Sequence, residues 1–325
     1  MTAFRLIQDL GRLTIGCLVL LLTITSAGAA ERGIVSSVQK SGTETTLMSV
    51  FFHDEKLGWA VGGGGAVVRT VDGGKHWRRS VSGTSSLLTG IFFADRSHGW
   101  AVGANGTILH SRDGGDKWRA QDSGTQSALY GLYFLSSTAG WAVGTGGTIL
   151  HTEDGGSSWM DQSSGSNAVL YSVHFADPTH GKAVGALGTI LSTSDGGTTW
   201  TAQETQSSAT FFDVFLTDPL NAWVVGNAGA LFQTQTGGER WLDRTLPCSK
   251  TCFRPTDLLR IRFTDQKTGW IVGERGAILR TTDAGFAWIE QENGTKASLF
   301  GLSFPDPVNG WASGERGVIL HFTAK

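Results

Sequence analysis

Apolar and polar positions repeat along this chain in one fixed order. Residues Leu129 to Phe134 alternate, Trp141 to Val143 form a short apolar run, and Thr148 to Thr152 follow. A last strand-like segment starts at Trp159, and each piece is bounded by Gly, Asp, Ser or Asn. Short apolar or alternating runs between turn residues mark strands. No segment carries a sustained helical period or the caps that open a helix. The opening of this stretch, GWAVG at 140, occurs also at 58 and 99, and reappears as GKAVG at 181, AWVVG at 222, GWIVG at 269 and GWASG at 310. Successive copies start 41 residues apart except for one interval of 47, so the unit occurs seven times and one copy carries six extra residues. A unit of four short strands cannot bury an apolar face alone, and a fixed period of this length matches a propeller blade. The predicted fold is all-β, a seven-bladed β-propeller with four-stranded blades.

The end of each unit has its own chemistry. Thr70-Val71-Asp72-Gly73-Gly74 leads to Trp77, and the S/T-x-D-G-G-x-x-W spacing recurs at Ser111, Thr152 and Thr193. The glycines supply positive φ in a tight turn, the carboxylate accepts backbone N–H groups across it, and the tryptophan closes over it. Asp72, Asp113, Asp154, Asp195 and Asp283 are therefore read as structural. Thr236 stands where one Asp is expected, and Ala284 where one Gly is. All 12 tryptophans fall at the GW position or at the end of a box, so tryptophan is a packing device here; Lys182 takes the GW position of one blade. This pattern resembles the Asp-box, or BNR, repeat.

The ends of the chain depart from the repeat. Arg5 and Arg12 precede an apolar run from Leu13 to Ile24 and the small residues Ser26 to Ala30. Residues 1–30 read as a secretory signal peptide, cleaved to leave a periplasmic or secreted propeller over 31–325 with no membrane insertion of its own; an uncleaved anchor is the alternative. The segment Ile34 to Glu44 carries the S-G-T that ends other repeats, whereas the seventh unit stops at Gly317 to His321 with no box. The N-terminal segment is thus expected to supply the outer strand of the last blade and close a single, monomeric ring.

Composition narrows the function classes. With Gly 46, Pro 6, charged residues at 17% and net charge −2, nothing points to nucleic acid or an anionic membrane as partner. Loops between blades share a face with the G-x-x-G loops after each GWAVG, and the Asp-box turns fall on the opposite face. Two of the seven G-x-x-G loops are charged, GERG at 273 and at 314. Ten residues before the GW position, successive blades have Ser49, Gly90, Gly131, Ser172, Asp213, Arg260 and Gly301. Asp213 and Arg260 break the small-residue rule on neighbouring blades, where they are placed to pair. Arg262 stands where other blades have Phe51, Phe92, Tyr133 or Phe215. Together Arg254, Arg260, Arg262, Arg275 and Arg316 gather in the sector of blades 5 to 7. Such a cluster can grip carboxylates or carbonyls of a partner segment, or be neutralised internally by Asp213, Asp257, Glu274 and Glu315.

Cys248 and Cys252 lie in the insertion and can close a disulfide in an oxidising compartment; a metal site is the alternative, without a His at ligand spacing. His110, His151 and His321 share one repeat position away from the axis and do not converge. Tyr130, Tyr133 and Tyr171 lie across the ring from most of the arginines. No metal or cofactor is expected. The combination GWAVGxxGTILHTxDGGxxW over the whole mature chain resembles the photosystem II assembly and stability factor family of cyanobacteria and plastids, with its bacterial relatives. That resemblance implies a non-enzymatic propeller outside the cytoplasm that binds a membrane-protein segment, with an arginine-rich surface implicated. The alternative is a glycan-binding or sialidase-like BNR glycoside hydrolase.

Overall fold

The computed structural model describes residues 34–245 and 256–324. Residues 1–30, read from sequence as a signal peptide, and Cys248, Cys252 and Arg254 lie outside the described residues. Seven sheets of four antiparallel strands are present, one for each predicted unit. Blade 1 runs from its inner strand Leu47–Phe52 through Gly58–Gly62 and Val67–Thr70 to Arg78–Ser80. The inner strands of blades 2 to 7 are Leu88–Phe93, Leu129–Phe134, Leu170–Phe175, Phe211–Leu216, Leu258–Phe263 and Leu299–Ser303. The last blade is completed by Ile34–Lys40, antiparallel to Val318–Ala324 with Lys40 opposite Val318, so the N-terminal closure holds.

The GWAVG strands are buried at all five positions because each is covered by a neighbouring sheet on both faces. Their tryptophans stack on the phenylalanine that ends the next blade's inner strand: Trp59 on Phe93 with centroids 3.5 Å apart, Trp100 on Phe134 at 3.8 Å and Trp141 on Phe175 at 3.7 Å. Trp311 on Phe52 at 3.7 Å carries the same contact across the closure. At these separations the rings lie face to face, so each contact is worth chiefly the apolar area it buries. The glycine opening each GW strand makes room for that phenylalanine, since a Cβ at Gly58 would lie 2.5 Å from the Phe52 ring.

One interface breaks this rule, and its three departures explain one another. Blade 4 has Lys182 for the tryptophan, so the next inner strand ends in Leu216 instead of Phe. Without that ring, Ala222 fits where other blades need Gly. Lys182 keeps the polar half of the tryptophan's task. Trp59 Nε1 donates to the Gly114 carbonyl at 2.8 Å, and Lys182 Nζ donates to the equivalent Gly237 carbonyl at 2.7 Å. Ser192 Oγ at 3.0 Å and Gln203 Oε1 at 3.1 Å complete its shell.

The Asp-boxes are built as their chemistry requires. Thr70 Oγ1 accepts from Gly74 N at 2.9 Å and donates to Asp72 Oδ1 at 2.9 Å, while Asp72 Oδ1 also accepts from His76 N at 2.9 Å. Asp113, Asp154, Asp195 and Asp283 accept the corresponding N–H groups at 2.9 Å. Thr236 substitutes a hydroxyl, which accepts from Arg240 N at 3.0 Å, and Ala284 adopts the left-handed φ of 60° that Gly has elsewhere.

Sequence patterning missed a latch between blades. Gln39, Gln121, Gln162 and Gln203 each donate Nε2 to a glycine carbonyl in the next blade's box and accept that box's tryptophan N–H. Gln39 sits on the N-terminal strand, so the closure is latched like the interior joints.

Candidate functional site

The loop arrangement matches the sequence expectation. Gly63 N donates to Thr46 O and Gly106 N to Ser127 O, which ties G-x-x-G loops to blade-to-blade loops on one face. Gly73 N donates to Lys56 O, which places the Asp-box turn with the first hairpin loop at the other end.

On the loop face, the third residue of every G-x-x-G loop takes a left-handed φ. Glycine holds it at Gly64 and Gly146, but Arg275 and Arg316 adopt it at 56° and 53°. A Cβ built at Gly64 or Gly146 meets nothing within 4 Å, so this position projects into open space. Arg275 and Arg316 are accordingly exposed, and among the described residues neither makes an ion pair. Two of the carboxylates that could have neutralised them are directed elsewhere. Glu315 Oε2 accepts from Ser298 N at 3.3 Å, and Asp257 Oδ1 from Ala228 N at 2.9 Å. A left-handed non-glycine residue costs roughly 1 kcal/mol or more, which here holds two cations outward on adjacent blades.

Toward the axis, each inner strand offers a backbone edge, and polar side chains from the preceding blade satisfy parts of it. His174 Nδ1 accepts from Leu216 N at 3.3 Å, Ser303 Oγ from Phe52 N at 2.9 Å, and Asp213 Oδ2 from Ile261 N at 2.9 Å. The small residues at the position of Gly131 answer to this close approach of neighbouring strands, because a Cβ there would lie 2.7 Å from Tyr171 O.

Asp213 is buried, and its second oxygen accepts from Ser172 Oγ at 2.7 Å. Its ion pair is with Arg262 Nη1 at 2.5 Å, not with Arg260 as the spacing suggested. Arg262 also donates to the Ile261 carbonyl and lies over the Phe215 ring, 5.9 Å from its centroid. It thereby ends a girdle of rings running from Phe51 through Phe92, Tyr133 and His174 to Phe215, with centroids 4.6–5.4 Å apart. Asp213 and Arg262 are therefore channel residues that satisfy each other. Arg260 points into the same channel and donates Nη1 to the Leu259 carbonyl at 2.7 Å.

The channel encloses a cavity of about 210 Å3 that brings Tyr130, Tyr133 and Tyr171 onto the same lining as Arg260 and Arg262, although they stand on distant blades. Burial raises the Tyr133 phenol pKa, against the pull of Arg262, and lowers that of His174 to about 3. The repeat histidines do other work. His110, His151 and His321 stack on the GW tryptophans of their own blades at 4.4–4.6 Å. Among the described residues no group of His, Cys, Asp and Glu could hold a metal ion.

The family model of the photosynthesis system II assembly factor YCF48 matches residues 81–167 and 253–325. Over those residues the chain matches the photosystem II assembly factor-like propeller family. Solved structures of that family have the same fold. YCF48 bound to D1 peptide is 20% identical with TM-score 0.74, covering 90% of this chain and 95% of its own. YCF48 from Cyanidioschyzon merolae is 22% identical with TM-score 0.74, over 89% of this chain and 98% of its own. The fold itself is shared more widely: virginiamycin B lyase from Staphylococcus aureus superposes at TM-score 0.76 with 14% identity, over 89% and 98% of the two chains. No curated protein matches the chain.

Proposed function

We propose that this photosystem II assembly factor-like propeller is a non-enzymatic scaffold, exported to the periplasm or beyond on its N-terminal segment, that binds a peptide segment of a membrane protein during assembly. The family match and the likeness to YCF48 bound to D1 peptide support a protein ligand. The observation that carries the reading is the pair Arg275 and Arg316, held outward in left-handed conformation with no ion pair among the described residues. Unneutralised guanidinium groups on a rigid turn are prepared to fork onto carboxylates or carbonyls of an extended segment. Arg254 belongs to the same sector by sequence; Asp213 and Arg262 support the channel wall behind it.

A hydrolase reading lacks a reacting pair. Glycoside hydrolysis ordinarily needs two carboxyl groups across the bond, and the described lining of the channel cavity contributes one, Asp213, which is already engaged.

Photocrosslinking residues placed singly at 275, 316 and 157 test the proposal in the exporting cell. Capture of the same envelope protein from 275 and 316, and not from Ser157 in an Asp-box turn, is expected. Capture from 157 alone overturns it.

A further inference from the structure

The channel holds more positive charge than it neutralises. Arg260 and Arg262 face one carboxylate, Asp213, which is saturated by Arg262, Ile261 N and Ser172 Oγ. His174 adds no charge, since Nδ1 accepts a backbone N–H and burial with Arg262 nearby keeps the ring neutral. Arg260 is left with a neutral carbonyl as its hydrogen-bond partner among the described residues. Burying two guanidinium groups around a single carboxylate leaves one positive charge uncompensated, which costs several kcal/mol. Packing does not demand it, because five other blades place Ser or Gly at this position.

The rest of the lining combines aromatic and apolar side chains with the polar groups of Ser49, Thr89, Ser172 and His174. Tyr130 and Tyr171 lie 5.2 Å apart, Phe92 and Tyr133 5.4 Å, and Ile91, Leu132 and Val173 also border the space. A cavity of about 150 Å3 suffices for a benzene molecule. The volume of about 210 Å3 therefore admits one ring with a small charged substituent.

We infer that the channel is a binding site for a small aromatic monoanion of benzoate size, its carboxylate on Arg260 and its ring against Tyr130, Tyr133 and Tyr171. This site is separate from the exposed arginines of the loop face. The ligand supplies the negative charge that the fold omits, and its ring packs on the tyrosine faces. A charge-assisted, two-pronged contact to guanidinium is what separates such a ligand from a neutral aromatic of the same shape.

The test is isothermal titration of the propeller with benzoate, and with benzyl alcohol as the neutral analogue. Saturable one-to-one binding of benzoate is expected, with benzyl alcohol weaker by about tenfold or more, the worth of a charged hydrogen bond. Arg260→Gln should bring the two ligands to similar affinity, whereas Arg316→Gln should leave benzoate binding unchanged. Nuclear Overhauser contacts from benzoate to the Tyr130 and Tyr171 rings, measured on the parent protein, require no variant to fold. Absence of saturable binding, undiminished benzoate affinity in Arg260→Gln, chloride binding as tightly as benzoate, or absence of those ring contacts would each overturn the inference.

Discussion

The carboxylate of Asp213 meets the guanidinium of Arg262 at 2.5 Å across the boundary between the fifth and sixth blades. The same carboxylate accepts the Ile261 N–H, so one side chain closes both a charge pair and a strand edge. Every other blade manages this boundary with small or aromatic residues, which makes the pair a local replacement with a measurable energy.

Removing one member should be costlier than removing both. Asp213→Ala leaves Arg262 uncompensated and the Ile261 N–H unsatisfied, and should lower unfolding free energy by about 3–5 kcal/mol. Arg262→Met strands the buried carboxylate and should fall in the same range. The double change Asp213→Ser with Arg262→Phe restores the residues that other blades carry, and should recover most of the loss. Urea unfolding of the four proteins checks this; a double variant no more stable than either single one would show that the pair is not what the two side chains are worth.

The fold was legible because each unit repeats the same solution at a 41-residue spacing, with Trp, Gly and Asp at fixed places. The partner of Asp213 was not legible. The Asp213 carboxylate reaches the Ile261 N–H of the next blade, beside which Arg262 stands. The glutamine latch left a signal in the 41-residue spacing of Gln121, Gln162 and Gln203, but glutamine on an outer strand reads as a solvated face until its distance to the next box is seen. The sequence also places acids beside Arg275 and Arg316. Backbone donors engage two of these, Glu315 and Asp257, and no ion pair to Arg275 or Arg316 forms among the described residues.

Lys182 gives the fold an alkaline signature. Burial lowers its pKa from 10.5 to about 8. The unfolded chain therefore binds more protons between those values, and this site's contribution to stability rises as pH climbs from about 8 to about 10.5, by a total on the order of 3 kcal/mol. Lys182→Met should lack this rise, so the stability difference between parent and variant should shift in the parent's favour across that interval. A pH-independent difference would show that the amine keeps an ordinary pKa. The triple change Lys182→Trp, Leu216→Phe and Ala222→Gly rebuilds the interface used elsewhere and should be at least as stable as the parent at pH 7.

The Asp-boxes give an acid signature of the opposite kind. Hydrogen bonds from the backbone N–H groups of His76, Ser158 and Thr199 hold the carboxyl pKa values of Asp72, Asp154 and Asp195 down to about 2, from 3.8. Their stabilisation is full above about pH 4 and is lost as pH falls toward 2. With all three changed to Asn, chemical unfolding midpoints should depend less steeply on pH between 4 and 2 than in the parent. Partner capture at pH 7 by the folded fraction should persist; its loss at unchanged melting temperature would move the binding surface to the Asp-box face.

Arg275 and Arg316 allow function to be separated from stability by a single kind of substitution. At an ordinary surface position, a variant that loses binding can be blamed on a damaged fold. Here the backbone is left-handed, with φ 56° and 53°, so glycine relieves strain while deleting the guanidinium. The relief of about 1 kcal/mol is partly offset by the greater freedom of glycine in the unfolded chain, so stability should stay level or rise by up to about 1 kcal/mol. Capture of the partner segment should instead weaken by about 1–3 kcal/mol for each of Arg275→Gly and Arg316→Gly, with the parent's remaining affinity falling further as salt is raised. Arg→Lys at the same positions keeps the charge but loses the fork, and should fall between. If both glycine variants capture the partner as the parent does, the outward pair is not the contact, and the strain in these loops has no binding role.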